Sequence, residues 1–324
     1  MAHVTSGAAN AVLTTWLNKN FVSDLEYQLQ HQKFTTKAVI PKGSGNIGRF
    51  ISFAAPTFPT SYSGAGQAAI TEASTTANEI TAITQTSTDI TIAEFGEFTK
   101  VGTLYEYAAV PGLRQELLKR LRDGAAFSLD RFVLSKALLT TNRLYADMTP
   151  TGASTSSSTL MTNVFGAAGI TAATKTLFAA LAKGFTNVEG IPQGHYAAVV
   201  TPDQEQDLVT EFTTLRMSWS NSVVQVPGPM GQEKWVNGYI GSIYRTAVVV
   251  TQNYTTLLQT QSQEVAIIYA DGGVGAMAFQ DMNPEIILND VNSPYKNVNS
   301  FAWHANFGAG LIDGNRVVKM YSAT

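Results

Sequence analysis

Residues 111–145, PGLRQELLKRLRDGAAFSLDRFVLSKALLTTNRLY, constrain this chain more than any other stretch. Pro111 suits a helix start, where a missing N–H leaves no hydrogen bond unmade. Leu113, Leu117, Leu121, Ala125, Leu129, Phe132 and Leu139 then mark an apolar stripe. Glu116 and Arg120 stand four apart, a favourable pair on an outer face. Gly124 inside the pattern costs roughly 1 kcal/mol against Ala and permits a bend. A helix of about 30 residues far exceeds the mean of about 11–12. It is expected to act as a structural spine.

The segments before it have little of their own to pack on. Residues 1–37 read as an arm. Within it, residues 11–30 predict an amphipathic helix carrying Val12, Trp16, Leu17, Phe21, Leu25 and Leu29. Residues 38–101 change character. RFISF and DITIAEFGEFTKVG are rich in β-branched and aromatic residues and predict strands. Between them lies APTFPTSYSGAGQAAITEASTT, with Pro56, Pro59, Gly64 and Gly66 and no charge before Glu72. Connections longer than about 12–15 residues are uncommon inside a compact domain.

Beyond the spine, residues 149–159 (TPTGASTSSST) read as a loop or hinge. An alternating α/β pattern follows. TAATKTLFAALAKG predicts a helix with a Thr171 cap and a Gly184 stop. HYAAVVTP predicts an apolar strand, and DQEQDLVTEF a helix with acidic residues in its first turn. Residues 220–224 read as loop. GYIGSIYRTAVVVT predicts a strand pair, and QEVAIIYADGGVGAMAF two strands around Asp271-Gly272-Gly273. The tail predicts two strands separated by the turn residues Asp313-Gly314. No internal repeat is present.

Composition excludes several function classes. Of 324 residues, 44% are hydrophobic and only 14% charged, against roughly 25% charged in an average domain. Such a surface fits either cover by neighbouring subunits or a Thr-rich β protein. The net charge of −3 does not resemble a nucleic-acid-binding domain. The absence of cysteine excludes disulfides, thiolate metal sites and a Cys nucleophile. The first residues lack a basic start and a continuous apolar run, which predicts synthesis in a cytoplasm. No segment approaches the roughly 18 apolar residues of a membrane span.

Gly43-Ser44-Gly45-Asn46-Ile47-Gly48 matches the dinucleotide fingerprint G-x-G-x-x-G. Pro41 precedes it, and RFISFAAP after it reads as strand. Without a following helix the pyrophosphate loses the dipole and the free N–H groups that would hold it. A hairpin loop is expected instead, and DGGVG reads as a strand turn. His3, His31, His195 and His304 stand in no ligand-pair spacing, and no G-x-S-x-G elbow occurs. Asp203, Glu205 and Asp207 read as a helix first turn, Glu94 and Glu97 as a solvated strand face. The four tryptophans form no stacking platform. No catalytic residue, cofactor or metal site is predicted.

The order of elements carries more information than any single motif. ITIAEFGEFTKVGTLYEYA, LDRFVLSKAL, LFAALAKGFTNVEGIPQGHYAAVVTPDQEQDLVTEF, NGYIGSIYRTAVVVTQN and VNSPYKNVNSFAWHANFGAGLIDGNRVVKM follow in that order. In the third stretch Tyr196, Val199, Pro202, Gln204 or Gln206, and Leu208 occupy a strand–helix pattern. Arm, extended loop, spine helix, α/β region and returning strands together resemble the major capsid proteins of tailed bacteriophages, with the HK-ninety-seven-type fold. Within that group the chain resembles the N-four-like major capsid family.

The resemblance implies an α+β fold in five parts. These are an N-terminal arm (1–37), an extended β-hairpin loop with flanking strands (38–101) and the spine helix of a peripheral domain (102–160). An axial α/β domain (161–290) and C-terminal strands returning to the peripheral domain (291–324) complete it. It implies a non-enzymatic shell protein, with many copies in hexamers and pentamers forming an icosahedral shell around double-stranded DNA. Portal, scaffold and decoration proteins and non-specifically held DNA are the implied partners, with no membrane. The implied location is the virion, assembled in the host cytoplasm. Arm and loop would reach across neighbours, with Trp16, Phe21, Leu25, Phe58, Tyr62, Gln67 and Glu72 as expected assembly contacts. Three alternatives remain open at this point. One is an encapsulin-like nanocompartment shell. Another is an α/β enzyme built on His195 with Asp203 or Asp271. A third is another virion part such as a tail-tube subunit.

Overall fold

The computed structural model describes residues 29–41, 45–53, 85–102, 113–145, 165–186, 188, 191–218, 239–251, 263–279, 285–290 and 298–323. In chain order they form α1 (Gln30–Lys33), β1 (Thr36–Ile40), β2 (Ile47–Phe53), β3 (Gln85–Thr91), β4 (Ala93–Gly102) and the spine helix α2 (Leu113–Ala137). Then come β5 (Arg143–Tyr145), α3 (Ala167–Ala179), β6 (Tyr196–Val200), α4 (Pro202–Ser218), β7 (Tyr239–Ile243) and β8 (Thr246–Val250). The chain continues through β9 (Gln263–Tyr269), β10 (Val274–Phe279), β11 (Glu285–Asp290), β12 (Val298–Leu311) and β13 (Val317–Ala323).

Alternation along the strands decides which layer each face meets. A six-stranded sheet runs β5-β13-β9-β6-β8-β7. On one face Tyr196, Ala198, Val200, Val248, Ala266, Ile268, Val318 and Met320 pack under Ile170, Ala173 and Leu177 of α3 and Leu208 of α4. On the other face Ala197, Val199, Val249, Val265, Ile267, Tyr269 and Val317 join the core of the spine helix. Both faces are covered, so β6 reads as an unbroken apolar run.

A five-stranded sheet is built on the long strand β12. β10 and β11 take successive parts of one edge of β12, and β4 takes the other. β1 adds parallel to β10. The residues of β12 alternate strictly. Phe301, Trp303, Ala305, Phe307 and Ala309 face the core of the spine helix. Gly308 and Gly310 on the opposite side lie against β3 and its end. Leu121, Ala125, Ala126, Leu129, Val133, Leu134 and Ala137 form the buried stripe of α2. Each buried Leu or Val there contributes about 1.5–3 kcal/mol.

The spine helix is continuous through Gly124 but shorter than the sequence suggests. It ends at Ala137, and Leu139, expected in the apolar stripe, is 64% exposed. The chain turns because Thr140, Thr141 and Asn142 are weak helix formers and the next residues gain a ladder. Arg143–Tyr145 pairs parallel with Lys319, Met320 and Tyr321. The Thr140 hydroxyl lies within bonding distance of the Gly314 and Val317 carbonyls, and Asn142 Nδ2 donates to Gly314. The α3 boundaries also differ. Gly166 is the N-cap, and Thr171 sits inside the helix with its hydroxyl donating to Ala167 O. The helix stops at Ala179, before Gly184.

Two stretches expected to be local strand turns instead carry the chain between sheets. Asp271-Gly272-Gly273 takes it from β9 in the six-stranded sheet to β10 in the five-stranded one. Residues 312–316 bring it back from β12 to β13. The C-terminal strands divide between the sheets: β12 belongs to the five-stranded sheet and β13 to the six-stranded one. Within 161–290, β10 and β11 likewise lie in the five-stranded sheet. Of 38–101, β1 and β4 are strands of that same sheet, and only β2 and β3 form a separate two-stranded hairpin.

Part of the expected arm is core. Leu29 and Phe34 are buried with Leu121, Ala125 and Tyr269. Asp130, on the spine helix and 1% exposed, accepts the backbone N–H of His31 at 2.8 Å and of Gln32 at 3.3 Å. His31 Nδ1 and the Tyr269 hydroxyl share a hydrogen bond of 2.8 Å. Burial pushes the His31 imidazole below its ordinary range, although the Asp130 carboxylate pulls the other way. Burial also holds the Tyr269 phenol well above its own, assisted by Asp130.

Two stability predictions follow from these contacts. A Cβ on Gly308 would lie 2.7 Å from the Thr91 carbonyl oxygen and 3.0 Å from Ile90 Cγ2, whereas one on Gly241 meets nothing within 4 Å. Gly308→Ala should therefore lower the unfolding free energy by about 1–3 kcal/mol, and Gly241→Ala by less than about 0.5 kcal/mol, both read by denaturant titration. For His31, the unfolded chain takes up a proton below about pH 6.5 while the buried ring stays neutral. Stability is then complete above that pH and declines as the pH falls through it. His31→Asn should flatten this slope between about pH 6.5 and 5 and lower the whole curve, because Tyr269 loses its partner; an unchanged slope would exclude His31 as its source.

Candidate assembly interface

Trp16, Phe21, Leu25, Phe58, Tyr62, Gln67 and Glu72 all lie outside the described residues. What is described is the root from which the loop departs. β2 and β3 pair antiparallel from Ile47↔Thr91 to Phe53↔Gln85. Gly48 and Phe50 face inward, where a Cβ on Gly48 would strike Met277 and one on Gly275 would strike Phe50. Ile47, Arg49 and Ile51 alternate outward, with Ile47 and Ile51 exposed. Arg49 grips Asp89 across the pair through Nε (2.6 Å) and Nη2 (2.9 Å). That hydrogen bond holds the Asp89 carboxyl below its usual range. The pair is solvent-exposed, so it sets register more than stability. The hairpin thus presents an outward face of two apolar side chains around one ion pair.

Of the glycine fingerprint, Gly43 and Ser44 lie outside the described residues, Gly45 and Asn46 lead into β2, and Ile47 and Gly48 are its first residues. Gly45 has φ 85°, a left-handed turn position that suits glycine. No helix opens on it, so it lacks the N-terminus that would cradle a phosphate.

The residues weighed for acid–base work do not converge. His195, at the start of β6, lies 3.4 Å from the Gln193 carbonyl through Nδ1. Asp203 stands beyond the other end of that strand, in the first turn of α4. Asp271 sits at the crossover, its N–H donating to Lys183 O. Asp207 and Glu211 have structural partners: they accept the backbone N–H groups of Phe165 and Ala167 at the start of α3. Burial pushes the Asp207 carboxyl up, the Phe165 N–H pulls it down, and Asp203 pushes it up again. Among the described residues no three His, Asp or Glu side chains are placed to hold a metal. Nor is any described helix long and apolar enough to cross a membrane.

Sequence reasoning missed one surface. Among the described residues, three non-glycine residues have left-handed backbone: Leu181 (φ 53°), Tyr244 (φ 46°) and Arg245 (φ 64°). Each such residue costs of order 1–3 kcal/mol. All three gather around Tyr196 at one end of the six-stranded sheet. The Tyr196 N–H donates to Arg245 O (2.8 Å), and its hydroxyl donates to Ala182 O (2.9 Å). Its ring meets Phe178 edge-on at 5.5 Å. Burial raises the Tyr196 phenol, and the Arg245 charge nearby lowers it. Phe178, Leu181 and Tyr244 are nonetheless exposed, Tyr244 by 69%. The available signal was the two-residue loop Tyr244-Arg245 between β7 and β8. Such loops normally carry Asn or Gly.

No protein-family model matches the chain, and no curated protein matches it. Solved structures do. The capsid of Ralstonia phage GP4 aligns with a TM-score of 0.64 at 12% identity, covering 93% of this chain and 90% of that one. The capsid of cyanophage P-SCSP1u aligns with a TM-score of 0.57 at 14% identity, covering 91% and 88%. A virus-like particle from Pyrococcus furiosus aligns with a TM-score of 0.50 at 12% identity, covering 95% and 99%. The resemblance to the N-four-like group in particular rests on the sequence stretches alone. Over nine-tenths of its length the chain therefore has the α+β, HK-ninety-seven-type fold of tailed-phage major capsid proteins.

Proposed function

We propose that this chain is the major capsid protein of a tailed bacteriophage and assembles into an icosahedral shell around double-stranded DNA. The observation that carries the reading is the alignment of nine-tenths of the chain, 93% in one case, with a phage capsid subunit. Low charge supports it, because a surface covered by neighbouring copies needs few solvating groups. So does the outward face of the β2–β3 hairpin, with its exposed Ile47 and Ile51. In this reading the chain is not an enzyme and uses no cofactor. Hexamers and pentamers form through large interfaces that resemble a divided core. The six-stranded sheet with α3 and α4 surrounds the five-fold and six-fold positions. The arm carries Trp16, Phe21 and Leu25 to one neighbour. The extended loop carries Phe58, Tyr62, Gln67 and Glu72 to another. Packaged DNA is held weakly and without sequence preference, consistent with the net charge of −3. Assembly takes place in the host cytoplasm, with portal, scaffold and decoration proteins as further partners.

A second reading, a shell without a genome, draws on the 99% coverage of the virus-like particle chain. Electron microscopy of particles from the native source, with their nucleic acid assayed, separates the two. Closed particles containing double-stranded DNA are expected. Closed particles free of DNA would favour the second reading, and open tubes or rings would overturn both.

The arm and loop can be tested directly. A deletion must stop at residue 28, because Leu29, Gln30 and His31 are buried in the subunit. Removing residues 1–28, or replacing residues 56–70 with a short Gly-Ser turn, should leave a subunit with the parent's circular dichroism that closes no shell. Normal shells from either variant, seen by negative-stain microscopy, would count against the interface assigned to that segment.

A further inference from the structure

The strained end of the six-stranded sheet has no use inside one subunit. Leu181, Tyr244 and Arg245 hold left-handed backbone where glycine or asparagine would be relaxed. Strain of this kind persists where a function holds it in place. The side chains it displays are apolar and cationic together. Phe178, Leu181 and Tyr244 are exposed large hydrophobics, and Lys183 and Arg245 are exposed beside them. The nearest acid in the hydrogen-bond network is Asp271, which is only partly exposed and bonded through its backbone to Lys183 O. Two hydrogen bonds from Tyr196, one from its N–H to Arg245 O and one from its hydroxyl to Ala182 O, fix the tip from beneath.

A matching surface of opposite charge lies elsewhere on the same chain. Helix α4 opens on Asp203 and Glu205. Two further acids of that helix, Asp207 and Glu211, are turned to the start of α3, whereas Asp203 is exposed and Glu205 is partly so. In one subunit this first turn cannot reach the tip. Arg245 is bonded to the first residue of β6, and Asp203 follows its last. Four strand steps of about 3.3 Å separate Tyr196 from Val200 by about 13 Å, so the tip and the helix start lie at opposite ends of β6.

We propose that the tip formed by Phe178, Leu181, Lys183, Tyr244 and Arg245 docks onto the first turn of α4, Asp203 and Glu205, of a second copy of this chain. Because the two surfaces differ, each copy offers its tip to one neighbour and its helix to the other. Such head-to-tail contacts generate rings when the rotation closes. The docking site rests on the shell reading above and assigns the contact that joins subunits within one pentamer or hexamer. Opposite charges set register and exclude wrong pairings, while Tyr244 and Leu181 supply the buried apolar area.

The chain has no cysteine, so paired cysteines report the contact cleanly. A variant carrying Tyr244→Cys and Asp203→Cys cannot close a disulfide within one subunit, since Cα atoms more than about 7 Å apart are out of reach. Oxidised particles of this variant should give a ladder ending at five and six subunits on a non-reducing denaturing gel, and each single variant should stay monomeric. Monomer alone from normal particles of the double variant would overturn the docking site. As a second arm, Lys183→Glu with Arg245→Glu should cut the particle yield at least tenfold without changing the circular dichroism of the subunit. Asp203→Lys with Glu205→Lys in the same chain should restore it. Normal yield, or loss without restoration, would again overturn the pairing. A parent protein that forms no particles even in its native source, where any scaffold is supplied, would overturn the shell reading itself, so the two failures are distinguishable.

Discussion

The structure depends on two stretches of chain that pass side by side between its two sheets. Residues 270–273 leave the six-stranded sheet as residues 312–316 return to it. They are stitched by backbone bonds: Ala270 N–H to Arg316 O, and Ile312 and Asp313 N–H to Gly273 O. Arg316 adds Nη1 to Asp271 O and Nε to Asp313. The approach is so close that a Cβ on Gly273 would lie 2.6 Å from Val317 Cγ2. Gly272, at φ 76°, would set one 2.7 Å from Arg316 Nη1. The DGGVG run is therefore explained by the waist of the molecule. Because two strands cross there, the two sheets share one core, and the spine helix can pack against residues of both.

The junction at Asp130 secures the remaining element. Its carboxylate accepts two N–H groups from the segment that follows the arm, and His31 in turn meets Tyr269 of the six-stranded sheet. The spine helix, the segment around His31 and the six-stranded sheet are thus joined at one buried polar point. A buried carboxylate left without those donors would be strongly unfavourable. The segment 29–34 therefore cannot detach without disturbing the core beneath it.

The sequence made legible those elements whose burial is one-sided or complete over a long run. The spine helix showed in its apolar stripe, and β6, β8 and β9 in their Val/Ile/Ala runs. The order of elements was enough to suggest the fold. Helix ends were misread where tertiary pairing decides them. Nothing local to Thr140 announces that residues 143–145 will pair with a strand near the C-terminus. Nor does Asp313-Gly314 say whether its turn closes a hairpin or crosses between sheets, because the turn chemistry is the same in both. The α3 cap was misplaced because its first N–H groups are satisfied from Asp207 and Glu211, some 40 residues away by the separations of 42 and 44. Of the candidate site, the sequence pointed to apolar side chains on segments without a core. Its one sign of the tip was Tyr244-Arg245 in a strand turn that normally carries Asn or Gly; the strain itself is a property of backbone angles.

On the proposed shell reading, that tip shows how a subunit would divide its free energy between folding and association. Its three left-handed residues cost of order 1–3 kcal/mol each, and the two Tyr196 hydrogen bonds beneath them offset about 1 kcal/mol each. On these two terms alone the tip costs one subunit more than it returns. Asn-Gly at positions 244 and 245 would relax the turn but would remove the tyrosine ring and the guanidinium. Retaining strain to display those groups is favourable only if association recovers more than folding loses. The same logic covers the β2–β3 hairpin. Its inner face packs closely through Gly48 against Met277 and through Phe50 against Gly275, and its outer face leaves isoleucines exposed. Both surfaces are rigid where they join the core and apolar where they leave it, which lowers the ordering cost when a neighbour arrives.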